Sequence, residues 1–63
     1  MPEQWTATAI GMMHTHHITG GALADCMGIR REYLSQILNG KRTPKDAERK
    51  VMEAIDALIK EKT

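Results

Sequence analysis

The sequence predicts an all-α fold: a small bundle of four helices, or five, with a helix-turn-helix at its centre. Three observations predict it. Apolar residues recur at helical spacing in separate stretches, Trp5 to His16, Tyr33 to Leu38 and Ala47 to Ile59. Thr19 and Gly28 bracket a short segment as a helix cap at each end would. Asn39-Gly40 and Thr43-Pro44 then mark one helix end and one helix start. A chain of 63 residues is a single domain, residues 1–63. A domain of that size buries only about 60% of its unfolded surface, so marginal stability is expected and self-association would help it.

Pro2 suits a first helical turn because its missing N–H has no partner there, and Glu3 is favourable beside the positive end of the helix dipole. The first helix is expected to start there. Trp5, Ala9, Met12 and His16, with Ile10 and Met13 alongside, give it an apolar stripe. Gly11 interrupts that helix at a cost of about 1 kcal/mol relative to Ala, and no function is assigned to it.

Thr19 is expected to cap the second helix, with Ile18 and Leu23 closing a hydrophobic staple across the start. Gly28 supplies the left-handed residue that ends it, and Ile29 closes an apolar contact back onto the preceding turn. On a helical wheel covering 29–39, Arg31, Ser35, Asn39, Glu32 and Gln36 fall within about 140° of one another. Tyr33, Ile37, Leu34 and Leu38 occupy the opposite side, so the third helix has one buried and one hydrogen-bonding face. Asn39-Gly40 ends it.

The last helix is expected to begin with Thr43 as cap, Pro44 at its first position and Asp46 at the third, a capping box with Asp in place of Glu. Ala47, Val51, Met52, Ala54, Ile55, Leu58 and Ile59 spread over an arc of roughly 160°. That is wider than one docking face uses. Asp46 to Lys50 and Asp56 to Lys60 are spaced for favourable ion pairs along this helix.

Counting Gly20 as first, Leu23 is fourth, Ala24 fifth, Met27 eighth, Gly28 ninth, Ile29 tenth, Leu34 fifteenth and Ile37 eighteenth. Two helices meeting at a steep angle need apolar contacts, a small residue and a corner glycine at those places. With these residues in place, the stretch from about 19 to 40 resembles the helix-turn-helix of the Cro/repressor superfamily, the xenobiotic-response-element type, whose common form is LAxxxGIxxxYLSxILNG. The resemblance is strong from Ile18 to Pro44 and covers the flanking helices by pattern only. It implies a lambda-repressor-like fold and a third helix that enters the DNA major groove, in a prokaryotic or phage transcription regulator. Two departures stand out: Gly20 where a phosphate-contacting Gln is common, and Arg30 where Ser or Thr is common.

Net charge is only +1, but it is unevenly spread. From Arg30 to Lys50 seven basic residues face three acidic ones, a balance of +4, and the rest of the chain has two against five, or −3. Positive charge therefore concentrates on the third helix and on the residues from Lys41 to Lys50, where a phosphate backbone would lie. The single cysteine, Cys26, has no partner for an internal disulfide or thiol metal site and is expected to fill space on the second helix. His14, His16 and His17 read as the polar end of a helix, because adjacent histidines diverge and nothing nearby completes four ligands. No metal, cofactor or catalytic residue is expected, and the chain does not read as an enzyme: it has no phosphate loop, paired carboxylates or nucleophile with an orienting base. It has no apolar run long enough for a membrane span and no series that reads as a signal peptide, so the expected location is cytoplasmic, at the nucleoid.

The expected function is sequence-specific binding of double-stranded DNA by a small Cro-like regulator, a repressor acting by operator occupancy. Arg31, Glu32, Ser35 and Gln36 are expected to read base edges, Arg pairing with guanine, Gln with adenine N6 and N7, and Glu accepting from cytosine N4. Glu32 has an equal alternative, a salt bridge to Arg31 or Arg30. Gly20, Gly21, Arg30, Asn39, Lys41 and Arg42 are expected on the phosphate backbone. A homodimer on a palindromic operator is expected, with contacts at Met52, Ile55 and Ile59 or, alternatively, the loop around Arg42. The alternative function is a protein-interaction module, an antirepressor or adaptor, on the same fold.

Overall fold

The computed structural model describes residues 4–62, which form four helices: α1 (Gln4–Thr15), α2 (Gly20–Met27), α3 (Arg31–Leu38) and α4 (Ala47–Lys62). The expected opening of α1 at Pro2 and Glu3 lies outside the described residues. Because α4 runs unbroken to Lys62, the bundle has four helices and not five.

The side of α1 that is buried carries Thr6, Ala9 and Met13. This corrects the expected stripe by a rotation of about 60°, leaving Trp5 and Met12 half-buried; Ile10 is 42% exposed. His16 leaves the stripe because α1 has ended. The His17 N–H bonds to the His14 carbonyl at 3.3 Å and the Ile18 N–H to that of Met13 at 2.8 Å, while His17 itself turns left-handed at φ 56°. Ile18, 8% exposed, then closes the end of the core. His17 thus works as a backbone corner, a role that histidine tolerates better than most side chains.

Thr19 Oγ1 accepts from the Ala22 N–H at 3.0 Å, capping α2 as expected. Ile18 and Leu23 are both buried, as a staple requires. At the other end the pair of bonds seen after α1 recurs: Gly28 N–H to Asp25 O at 3.1 Å and Ile29 N–H to Ala24 O at 3.0 Å, with Gly28 at φ 72°. Only three residues separate α2 from α3. Leu23, Ala24, Leu34 and Ile37 are at most 2% exposed where the two helices share the core, and α4 covers them together with α1. The small side chains Ala9, Ala24, Ala47 and Ala54 let the backbones approach around the larger Leu23, Leu34, Val51 and Ile55. Cys26 does not fill the core. It is exposed, with its Sγ 3.9 Å from the Ala54 carbonyl.

The same cap closes α3, with Gly40 at φ 78°, its N–H on Ile37 O at 3.1 Å and the Lys41 N–H on Gln36 O at 2.9 Å. The start of α4 departs from expectation. Thr43 does not cap it and Pro44 is not its first residue; Pro44 O instead accepts the Ala47 N–H at 3.1 Å in a turn where Asp46 is left-handed at φ 61°. That turn delivers Ala47, 8% exposed, to the core side, and the Asp46 carbonyl accepts the first helical bond, from Lys50. A short polar side chain such as Asp tolerates this corner. Its carboxylate then meets Arg49 at 3.6 Å, not Lys50, whereas Asp56 and Lys60 pair at 3.1 Å as expected.

Candidate nucleic-acid interface

The first two residues of α2, Gly20 and Gly21, have N–H groups that no intrahelical carbonyl can reach, since Thr19 serves Ala22. A side chain at Gly21 would meet nothing within 4 Å, and one at Gly20 would only touch Arg31 Cγ at 3.9 Å. Both glycines are half-buried, at the end of the helix where an anion would be favoured. Across the turn, α3 is anchored from beneath by Leu34 and Ile37, which turns Arg31, Glu32, Ser35 and Asn39 outward. Gln36 is half-buried. An open groove of about 630 Å³ runs between Gly20 and the outward side of α3, so the structure joins the α2 start to Arg31, Ser35 and Asn39.

Within this surface the expected residues divide into two sets. Among the described residues, Arg30, Arg31, Glu32 and Lys41 enter no ion pair, so the alternative bridge from Glu32 to Arg30 or Arg31 is not formed. The others are already bonded to one another: Asn39 Nδ2 donates to Ser35 Oγ at 3.2 Å, and Arg42 Nε donates to Gln36 Oε1 at 2.9 Å. Ser35–Asn39 has the one-turn spacing that makes such a bond legible in the sequence. Gln36–Arg42 does not, because it crosses the helix end and depends on the turn at Gly40. Ile10 was also missed. It lines the groove with Leu38 and is 42% exposed.

The surface expected to hold a second copy needs one correction. Ile55 is 0% exposed and belongs to the core, where nothing outside the chain can touch it. Met52 and Ile59 remain half-buried at the edge. Met52 shares a shallow depression of about 480 Å³ with Trp5, Thr43 and Pro44, which Arg42, the centre of the alternative surface, does not line.

No grouping of His, Cys, Asp or Glu among the described residues could hold a metal ion. No described helix is long and apolar enough to cross a membrane. The chain matches no family model, no curated protein and no solved structure.

Proposed function

We propose that this chain is a sequence-specific, double-stranded DNA-binding protein of Cro/repressor type, a small transcriptional regulator that represses by occupying an operator. The observation that carries the reading is the outward face of α3: a two-turn helix held from beneath by the buried Leu34 and Ile37 that presents Arg31 and Glu32 without ion-pair partners among the described residues. Arg30, Lys41 and Arg42 are exposed at its two ends. In the complex the helix lies in the major groove, Arg31, Glu32, Ser35 and Gln36 meet base edges, and the cationic flanks with the Gly20 and Gly21 amides meet phosphates. The protein acts in the cytoplasm at the nucleoid, as a homodimer on a palindromic site. Met52 and Ile59 are the contacts assigned to the dimer.

Titration of a nonspecific duplex at two salt concentrations tests this reading. Each neutralised phosphate releases counterions, so affinity should fall steeply with salt; no binding even at low salt would exclude it. One observation favours the protein-interaction module instead, the apolar spot formed by the 42% exposed Ile10 beside the half-buried Leu38. Failure to bind duplex at low salt would favour that module.

A further inference from the structure

Gly40 turns the chain left-handed at the end of α3, and both the Lys41 and Arg42 N–H groups land on the Gln36 carbonyl, at 2.9 and 3.2 Å. This pins the backbone of Arg42 against the last turn of the helix. Its side chain then runs back along the outward face, and Nε donates to Gln36 Oε1 at 2.9 Å. Arg42 belongs to none of the ion pairs among the described residues, so none of their carboxylates competes for its guanidinium.

An arginine side chain only donates, so the Gln36 atom it meets is the oxygen and not the amide nitrogen. The flip of the amide is thereby decided. An unrestrained glutamine suits adenine, because its oxygen accepts from N6 while its nitrogen donates to N7. Held by Arg42, Gln36 has one lone pair of that oxygen occupied and offers a base edge the two N–H groups of Nε2. Guanine, with N7 and O6 both acceptors, is the base edge that fits an array of donors.

We infer that Arg42 is a positioning residue which, by holding Gln36 through its oxygen, makes the pair a reader of guanine in place of the adenine that glutamine alone would select. The inference depends on the DNA-binding reading above. It also replaces the sequence-based assignment of Arg42 to the phosphate backbone with a role in specificity.

Selection of bound duplexes from a random pool, performed with the full chain as wild type, Arg42→Ala, Gln36→Ala and the double variant, tests it. The relevant base position is the one whose preference Gln36→Ala flattens. There the wild type should select guanine, Arg42→Ala should lose about tenfold of the guanine-over-adenine preference and move toward adenine, and Arg42→Ala should add no change in preference to Gln36→Ala. Arg42 is exposed, and an unchanged thermal melt would show that the variant folds. Equal weakening on every sequence, making Arg42 a phosphate contact alone, would overturn the inference, as would adenine selected by the wild type. If the wild type binds no duplex at all, the DNA reading itself fails; if it binds and selects while Arg42→Ala leaves its preference intact, only the role of Arg42 fails.

Discussion

The outward faces of α3 and α4 are both polar and exposed, yet their charges are arranged in opposite ways. On α4 and the residue before it, Arg49 lies between Asp46 at 3.6 Å and Glu53 at 3.3 Å, and Lys60 meets Asp56 at 3.1 Å. These charges are largely satisfied along one helix. On α3, among the described residues, neither Arg31 nor Glu32 has an ionic partner, and the bonds that do form there, Ser35 to Asn39 and Gln36 to Arg42, leave the charge of Arg42 without a carboxylate. A solvated face neutralises itself locally, whereas a face that meets a charged macromolecule keeps its charge available. The two helices also differ beneath, since two buried side chains hold α3 and four hold α4.

The shallow anchoring of α3 gives the largest expected effect. Leu34, 1% exposed, is half of its buried underside, and Leu34→Ala should cost about 2 to 5 kcal/mol through lost burial and the cavity left behind. A chain this short is expected to have roughly 3 to 9 kcal/mol of stability in all, so the variant should be partly unfolded at 37 °C. Urea denaturation followed by circular dichroism measures it. A loss under 1 kcal/mol would mean that α3 is held by something other than Leu34 and Ile37.

The difference between the charged faces can be measured directly. Arg31→Ala should weaken binding to a selected duplex by about 1 to 3 kcal/mol and relax preference at one base position, while Arg49→Ala should leave both nearly unchanged. Fluorescence anisotropy at fixed salt compares the two. Equal losses from both variants would erase the functional distinction between α3 and α4.

Much of α2 and α3 was legible in the sequence because each structural event there has a local chemical cause: the Thr19 hydroxyl for the start of α2, and the left-handed positions of Gly28 and Gly40 for the ends of α2 and α3. The start of α4 was misread for the complementary reason. Thr43-Pro44 is a sound local start signal, but the path from α3 to the core site of Ala47 needed a turn first, and a tertiary requirement overrode the local one. On α1 the expected stripe contained Ala9 and Met13 of the buried side but not Thr6, whose polar side chain hides it from an apolar pattern, and it ran on to His16, past the helix end. The outward residues of α3 were legible from periodicity, while the bond from Arg42 to Gln36 was not, because it depends on how the chain leaves the helix.

The three repeated helix ends allow a smaller, signed test of local legibility. Gly28 and His17 adopt the same left-handed geometry with the same pair of backbone bonds, but only one lacks a Cβ. Gly28→Ala should cost about 1 kcal/mol, and His17→Gly should stabilise by up to about the same amount. For a domain of this size 1 kcal/mol corresponds to roughly 4 to 8 °C in melting temperature, so opposite shifts in two thermal melts would be plain. A fall in both would show that the His17 side chain contributes more than its backbone strain costs.

The smallest expected effect concerns the ion pairs of α4. Asp56 and Lys60 have side chains 60% and 77% exposed, so water screens their attraction and holding two flexible side chains together offsets part of what remains. A double-mutant cycle on Asp56→Ala and Lys60→Ala should therefore give a coupling of no more than about 0.5 kcal/mol, declining further in 1 M salt. Neither single variant should alter duplex affinity beyond the loss of one distant charge. A coupling above about 1 kcal/mol that persists in high salt would mean that this face is less solvated than its exposure indicates, as contact with a second copy would make it. Repeating the cycle across a range of protein concentrations separates these cases, since a pair within one chain couples equally at every concentration and a pair buried between copies couples only when copies associate.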